Sequence, residues 1–289
     1  MPFSAMFAVM SLPPKAGLYI VPTPIGNLDD LSARSHALLA AADVIACEDT
    51  RVTGKLLHLI GLKRPLVRHD DHASDAARAM LIARATHEII VLCCDAGTPL
   101  ISDPGYRLVR DARAAGVHIS ALPGPNAAIT ALSMSGLPSD RFLFVGFLPA
   151  RAGPRKSALQ EIAATPATLV FYESAQRLGA SLSAMAEILG ERDGFVVREI
   201  SKLHESGVSG SLRELAQHFA TPPKGEIVII VAPPKAGESA PMDDDGLRDL
   251  LRAAMERAPP ARAARDVARQ SGVARDKLYA MALEIQGKT

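Results

Sequence analysis

Short apolar runs of strand length, each ending in a loop rich in glycine, proline or polar residues, recur along this chain and constrain its fold. The five loops are residues 23–28, 47–51, 94–105, 123–126 and 171–174. In the first half of the chain, stretches with helical periodicity separate the runs. Strands that alternate with helices predict right-handed crossovers and a parallel sheet that is covered by helices on both faces.

Length and changes of pattern predict several units. At 289 residues, of which 48% are hydrophobic, the chain can bury two α/β lobes and an appendage. We expect a disordered leader at 1–16, an N-terminal α/β lobe at 17–125, a C-terminal α/β lobe at 126–232, a linker at 233–245 and a helical tail at 246–289. The apolar runs of the second lobe are shorter and less regular, which predicts a mixed sheet there.

Composition disfavours several classes of protein. No apolar run reaches the ~18–20 residues that a membrane-spanning helix needs. A net charge of +1 argues against electrostatic binding of nucleic acid over the whole surface. Three cysteines, two of them adjacent, indicate reduced and buried thiols in a cytosolic protein. The chain has neither a P-loop motif nor a strict dinucleotide-binding glycine motif, which argues against a nucleotide triphosphatase or a dinucleotide dehydrogenase.

Capping signals predict where the first helix begins. Asn27, Asp29 or Asp30 can cap a helix, because their side chains accept hydrogen bonds from the first backbone amides. That helix would carry one apolar face, formed by Leu31, Leu38 and Leu39.

The loop at 94–105 is the most informative of the five. Its two glycines and two prolines allow sharp turns and a close approach of the backbone to a ligand. Its polar side chains follow a predicted parallel strand, and ligands bind at the carboxyl ends of such strands; they are Asp95, Thr98, Ser102 and Asp103. A single loop of this kind would more often be an ordinary β–α turn, but five in one chain favour a ligand site.

Taken together, the five loops resemble the tetrapyrrole-methylase superfamily of S-adenosylmethionine enzymes, within it the branch that methylates 16S rRNA. The resemblance extends from about residue 18 to residue 230 and continues weakly in the tail. It implies two α/β lobes around a central cleft, S-adenosylmethionine as methyl donor and no metal. It also implies a homodimer that methylates the 2′-hydroxyl of a decoding-centre cytidine, on free rRNA or on the small ribosomal subunit.

The resemblance implies a set of cofactor-binding residues. The loop at 97–102 would wrap S-adenosylmethionine, largely through backbone atoms, and residues from other loops would complete the cleft. The set is Pro24, Asp95, Gly97, Thr98, Leu100, Ile101, Ser102, Ala127, Ala128 and Tyr172. The alternative for each of these residues is turn formation without a ligand.

Carboxylates that follow the predicted strands are candidates for a general base. A protonated ribose hydroxyl is a poor nucleophile, so a base within hydrogen-bond reach would help its attack on the methyl group. Glu48, Asp49 and Asp103 are the candidates, and Arg51 could hold a phosphate or orient a carboxylate. The alternative for Glu48 and Asp49 is N-capping of the helix that follows.

Two departures from the family pattern and one histidine-rich loop qualify this interpretation. Cys94 stands where serine is usual and keeps its size and a weak donor. Ala175 and Gln176 stand where Pro-His is usual, a change that would alter substrate contacts more than cofactor binding. The loop at 69–72, His-Asp-Asp-His, invites a metal site, but without a third ligand a polar, substrate-facing loop is favoured.

Two basic segments are candidates for RNA binding. Arg151, Arg155 and Lys156 form one patch, in a predicted basic loop at 148–156. In the tail, residues 251–277 include seven basic and three acidic residues, and 263–279 has helix-turn-helix spacing with Gly272 in the turn. Such clusters contact phosphates without reading sequence, although a solvated helical face is an equally good interpretation of the tail.

Two other functions stay open. The same fold could methylate a small molecule such as a tetrapyrrole, although the loops at 23–28 and 47–51 match the rRNA branch. A DNA-binding regulator led by the tail is the second alternative, but it would not need five ligand-type loops in the body of the chain.

Overall fold

The structure is a computed structural model that describes residues 14–70, 73–235, 244–271 and 273–287. Residues 1–13 of the predicted leader, 236–243 of the predicted linker and Gly272 lie outside the described residues. Backbone contacts divide the chain into two units. One consists of Met1–Thr130 with Glu199–Glu205, and the other of Ala131–Arg198 with Ser206–Thr289. The lobe boundaries expected from the sequence stay a prediction.

The first unit contains a parallel five-stranded sheet with strand order β3-β2-β4-β1-β5, as the alternation of strands and helices predicted. Its strands are β1 Gly17–Ile20, β2 Val44–Cys47, β3 Leu66–Arg68, β4 Ile89–Cys93 and β5 Ile119–Ala121. The helices that follow them are α1 Ala33–Ala41, α2 Thr50–Leu59, α3 Asp75–Ala85, α4 Tyr106–Ala114 and α5 Ala127–Met134.

Apolar residues on both faces of the central strands explain why this sheet is buried. Along the strands, successive side chains point to opposite faces. Tyr19 and Val91, which are paired across β1 and β4, belong to one apolar cluster, while Leu18 and Ile90 belong to the other. Each fully buried aliphatic side chain contributes about 1.5–3 kcal/mol relative to an exposed one.

All three cysteines are buried and free, as the sequence predicted.

The predicted start of the first helix was wrong. Asn27 caps only a single 3-10 turn, Leu28–Asp30, and its side chain accepts from the amide of Asp29. The α-helix begins later, where the Ser32 hydroxyl accepts from the amide of Ser35. Two capping residues follow each other in this segment, and the sequence alone does not say which one opens the longer helix. Leu31 lies outside the helix, although it packs on the same cluster as Leu38 and Leu39.

The second unit contains a mixed five-stranded sheet with strand order β6-β7-β10-β8-β9, which confirms the mixed sheet expected there. Only β6 and β7 pair in parallel, and the other neighbours are antiparallel. The strands are β6 Phe142–Phe147, β7 Thr168–Ser174, β8 Asp193–Arg198, β9 Ser206–Ser211 and β10 Glu226–Val231. The helices are α6 Ala152–Ile162, α7 Leu178–Leu189 and α8 Leu212–His218, and they pack with the sheet around Phe171.

The predicted basic loop at 148–156 was wrong, because helix α6 begins inside it. Arg151 is the N-cap residue of α6, and Pro154 lies in its first turn. Proline costs nothing there, because the first backbone amides of a helix have no intrahelical partner. Glycine and proline are typical of loops, but in this segment they begin a helix.

The tail is helical, as predicted, and consists in its described part of α9 Asp244–Met255, α10 Pro260–Ser271 and α11 Arg275–Ile285. These helices share a small apolar core of their own, which includes Leu247, Leu251, Val267, Leu278 and Met281. Among the helices described, none is long and apolar enough to cross a membrane.

Candidate functional site

Backbone hydrogen bonds join the loop after β1 to the loop after β4. The amide of Thr23 donates to Gly97 O at 2.9 Å, and the amide of Gly97 donates to Thr23 O at 3.0 Å. The hydroxyl of Thr23, which is buried, donates to Cys94 O at 3.2 Å. Thr23 is not among the site residues predicted from the sequence, yet it fixes the start of the loop at 94–105.

Two further hydrogen bonds extend this network to the neighbouring loops. Thr98 Oγ1 donates to Pro125 O, in the loop after β5, at 2.8 Å. The amide of Asp49, in the loop after β2, donates to Asp95 Oδ1 at 3.2 Å. Four loops at the carboxyl edge of one parallel sheet are thus linked to each other. The structure brings Asp49, Asp95, Gly97 and Thr98 together, as the shared edge implied.

The loop after β4 contains residues in the left-handed region of backbone space. Gly97 has φ 86°, and Leu100 and Ser102, which have side chains, have φ 74° and 61°. A non-glycine residue in this region costs about 1–3 kcal/mol and is held there only by surrounding contacts. Such strain clusters at ligand sites, which makes this loop the first candidate for ligand contact.

Cys94 holds the first turn of this loop. Its thiol donates weakly to Ala96 O at 3.3 Å and to Gly97 O at 3.4 Å, the donor role expected of serine at this position. Burial raises the pKa of the Cys94 thiol, and the negative charge of the nearby Asp103 carboxylate and a hydrogen bond with it raise it further. Cys94 is therefore a neutral thiol that links the two ends of the loop.

Asp49 is engaged in capping and in an ion pair. It is the N-cap of α2, and its Oδ1 accepts from the amide of Arg51 at 2.8 Å. The Arg51 guanidinium donates to both carboxylate oxygens, at 3.1 Å from Nε and 2.5 Å from Nη2. The hydrogen bonds from Arg51 lower the pKa of Asp49 to about 2. A carboxylate with so low a pKa is a weak base at neutral pH, so the geometry favours the capping role that the sequence left open.

Glu48 and Asp103 remain candidates for the general base. Asp49, and not Glu48, is the N-cap of α2. Glu48 and Asp103 are both partly exposed, one after β2 and the other in the loop after β4. Their assignment as bases stays a prediction.

The other predicted cofactor residues lie in the loops after β1 and β4, on α5 and on β7. Pro24 is partly buried in the loop after β1, and Ile101 is 36% exposed in the loop after β4. Ala127 and Ala128 begin α5, where Asn126 Oδ1 accepts from the amide of Ile129 at 3.1 Å.

Tyr172 lies on β7 of the second unit, where its ring packs edge-on against Phe144 and Phe147.

A buried glutamate that pairs with the partly exposed Arg177 explains part of the motif at 171–174. Glu173 is buried and accepts from Ser181 Oγ at 2.5 Å, from Arg177 Nη2 at 3.1 Å and from the amide of Ser174 at 2.8 Å. Arg177 also donates to Leu148 O at 2.6 Å. The loop predicted at 171–174 was wrong, because these residues lie within β7, and Glu173 links this strand to the start of α7.

The three basic residues predicted as one RNA-binding patch have different surroundings. Arg151 is exposed at the start of α6. Arg155 is buried, and its Nη1 donates to Ala150 O at 3.2 Å, which corrects its placement on a surface patch. Lys156 pairs with Glu187, with 2.6 Å between Nζ and Oε1. Only Arg151 and Lys156 are accessible to a phosphate.

The histidine-rich loop is described only in part. His69 is buried, and Asp70 pairs with Arg68 at 2.8 Å, while Asp71 and His72 lie outside the described residues. Within the part of the chain that the structure describes, no three side chains of the metal-binding types come close enough to hold an ion.

Comparison with known families identifies the chain. The model of the family Tetrapyrrole (Corrin/Porphyrin) Methylases matches residues 17–216. The chain belongs to this family. A second model, the RsmI C-terminal HTH domain, matches residues 240–286 and therefore covers the tail.

Curated relatives match along nearly the whole chain. A protein of Mesorhizobium japonicum named Ribosomal RNA small subunit methyltransferase I is 45% identical, over 95% of this chain and 94% of its own length. A protein of the same name from Erythrobacter litoralis is 49% identical, over 95% of this chain and 97% of its own. Among solved structures, uroporphyrin-III C-methyltransferase from Thermus thermophilus, complexed with S-adenyl homocysteine, superposes with a TM-score of 0.50 at 20% identity. It covers 74% of this chain and 96% of its own, a similarity that shows the fold.

S-adenosylmethionine is the methyl donor of this family, as the sequence predicted. The linked loops fit its chemistry. Asp95 offers a carboxylate to positively charged or hydrogen-bond-donating groups, and the strained turn at 97–102 presents backbone groups beside it.

Proposed function

We propose that this protein transfers the methyl group of S-adenosylmethionine to the 2′-hydroxyl of a cytidine in the decoding centre of 16S rRNA. The observation that carries the proposal is the tail. The uroporphyrin-III methyltransferase is matched over 96% of its own length but covers only 74% of this chain. The two rRNA methyltransferases each cover 95% of this chain. The additional segment carries the helix-turn-helix match, at residues 240–286. Helix-turn-helix domains commonly bind nucleic acids, so a tail of this type favours a nucleic acid over a small molecule as the methyl acceptor.

When bound, S-adenosylmethionine supplies a methyl group on a positively charged sulfur, which an aligned oxygen can displace. Asp95 and the loop at 97–102 would hold the donor, and the bond from Thr98 to Pro125 keeps this loop against the loop after β5. Positioning supplies most of the rate in such a displacement.

Proton removal from the acceptor hydroxyl is the second task of the site. Glu48 and Asp103 are proposed for it, since the carboxylate of Asp49 is committed to Arg51 and to the cap of α2. A base contributes typically 10²–10⁴-fold when it lies within hydrogen-bond reach of the proton it accepts. Arg51, whose side chain is 89% exposed, keeps the orienting role that its pairing with Asp49 supports.

RNA contacts are proposed for exposed basic residues that lie outside the loops at the carboxyl edge of the parallel sheet. Arg151 and Lys156 are accessible on α6, and Arg262 and Arg265 are exposed on α10 of the tail. Phosphate contacts by such residues would position the RNA without reading its sequence. The proposal includes a homodimer in the cytoplasm, which the family resemblance supports.

Methyl incorporation from labelled S-adenosylmethionine tests the proposal. Small ribosomal subunits and free 16S rRNA from cells that lack the protein would be incubated with it, and the RNA would be digested to nucleosides for mass spectrometry. A 2′-O-methylcytidine that forms only with the protein is expected. Methylation of a base, or of uroporphyrinogen instead of RNA, would contradict it. The variant Asp95→Asn, which keeps the size of the side chain, serves as a control for cofactor dependence.

A further inference from the structure

The loop between β8 and β9, Glu199–Glu205, belongs by its contacts to the first unit although its flanking strands lie in the second. Its shape is held from within: the amide of Ser201 donates to Glu205 Oε2 at 2.7 Å, and Lys202 Nζ pairs with Glu199 at 3.0 Å. Glu199 and Ser201 have φ 54° and 65°, values that residues with a side chain rarely adopt. A strained loop held in one conformation indicates that its position matters.

Two contacts fasten this loop to the loop after β1. Ser201 Oγ donates to the Asp30 carboxylate. The aliphatic stem of Lys202 lies over Gly26, where a Cβ would be 2.3 Å from Lys202 Cγ and 2.7 Å from Cε. Glycine at this position therefore makes room for Lys202, and a larger residue would push the Lys202 side chain aside.

The loop closes one side of a cavity of about 240 Å³ in the first unit. The apolar part of its wall is formed by Ile25, Pro125 and Ile200, and the polar part by Asp30, Thr130 and Ser201. The cavity borders the candidate site, because Pro125 O accepts the hydrogen bond of Thr98.

The polar groups of the cavity are arranged as acceptors. Thr130 Oγ1 already donates to Asn126 O at 2.9 Å, and Ser201 Oγ donates to Asp30. Each hydroxyl oxygen can still accept, and a carboxylate can accept several hydrogen bonds. This wall suits a ligand that donates from hydroxyl or amino groups and also has apolar surface, and the charge of Asp30 repels phosphate.

The size of the cavity narrows the class of ligand. Its volume of 240 Å³ is below the roughly 300 Å³ at which pockets for drug-sized ligands begin. A nucleoside matches this volume more closely than the larger tetrapyrrole macrocycle does.

We infer that this cavity receives the acceptor nucleoside of the RNA, with Asp30 accepting hydrogen bonds from its ribose hydroxyl or exocyclic amino groups. The inference rests on the proposed function and adds a substrate subsite to it. Ser201 holds the Asp30 carboxylate in place, and Lys202 positions the loop that carries Ser201.

The test compares Asp30→Asn with Asp29→Asn, a matched control that removes the same charge one residue away and outside the cavity wall. Asparagine keeps one acceptor oxygen but not the charge, and this weaker acceptor is expected to lower kcat/KM for the rRNA by about ten- to a hundredfold in Asp30→Asn. The Kd of S-adenosylmethionine, measured by calorimetry, stays within about twofold of wild type in both variants, and Asp29→Asn retains kcat/KM. Ser201→Ala, which keeps the carboxylate, gives a smaller loss and covers the case in which Asp30→Asn fails to fold.

Unchanged kcat/KM in folded Asp30→Asn would overturn the inference. An equal loss of S-adenosylmethionine affinity would overturn it too, because the cavity would then hold the ribose of the donor.

A binding measurement separates this inference from the proposed function. In the full-length protein saturated with S-adenosylhomocysteine, cytidine is expected to shift the amide NMR signals of Thr130 and Ser201 more than 2′-deoxycytidine does. If the protein methylates no rRNA but these shifts appear, the proposed function fails and the nucleoside site stands. If neither nucleoside shifts these signals, the site is refuted whatever the activity.

Discussion

The loops after β2 and β4 carry similar residues at the same edge of one sheet, yet their side chains have different tasks. After β2, the carboxylate of Asp49 caps a helix and pairs with Arg51. After β4, backbone bonds to Thr23 and the hydroxyl of Thr98 hold the loop, and two residues with side chains are left-handed. Position at a strand end therefore does not define the function of an acid; its local partners do.

The largest expected effect is on turnover. Glu48→Gln and Asp103→Asn should each be tested, and the residue that serves as base will lose about 100-fold or more in kcat. Asp49→Ser, which keeps a capping hydroxyl, is expected to retain most activity. Single-turnover methyl transfer, with a thermal melt of each variant, measures both quantities. A large loss of kcat in Asp49→Ser alone would show that Asp49, and not Glu48 or Asp103, is needed for turnover.

Backbone strain gives the next effect. Gly105 has φ 128°, and a Cβ there would lie 2.8 Å from Cδ2 of the buried Leu92, so Gly105→Ala should destabilise the protein by about 2–3 kcal/mol. Gly116, with φ 72° and open space around a Cβ, is the control, and Gly116→Ala should cost about 1 kcal/mol. Urea unfolding measures both. Equal losses would mean that packing against Leu92 contributes nothing.

The hydrogen bond of Thr23 comes third. Thr23→Val removes a buried donor to Cys94 O without changing the shape of the side chain, and the free energy of unfolding should fall by about 1–2 kcal/mol. Thr86→Val, which removes an exposed hydroxyl that donates to Ala83 O, should change it by under about 0.5 kcal/mol. If both variants unfold at the same urea concentration, the loops after β1 and β4 are held by their backbone bonds alone.

The smallest expected effect is on the pH dependence of stability, and it comes from Asp49 in the loop after β2. The pKa of Asp49 is lowered from 3.8 to about 2, chiefly by hydrogen bonds from Arg51. The native state therefore binds this proton less readily than the unfolded state does, and the resulting stability is present above about pH 4 and lost as the pH falls towards 2. Acid unfolding of Asp49→Ser should be less steep over this range than that of wild type. Identical acid-unfolding curves would show that the Asp49–Arg51 ion pair does not contribute to the pH dependence of stability.

Much of the fold followed from the sequence because it depends on local patterns. Apolar runs of β1, β2 and β4, separated by helical periods, predicted the parallel sheet, and the less regular runs predicted the mixed one. The predictions failed where the same local sequence pattern is compatible with two different structures. Asn27 and Ser32 are both capping residues, and Pro154 is compatible with a loop or with the first turn of a helix.

The sequence by itself determined the family, the two sheets and the group of loops at one sheet edge, because periodicity and motif spacing are properties of neighbouring residues. Only the tertiary structure decided how those residues are used. It turned Arg155 inward, committed Asp49 to Arg51 and placed Ser201 beside Asp30, 171 positions away in the chain. The physical reason is that charge, strain and hydrogen bonding depend on partners distant in sequence, which meet only when the chain is folded.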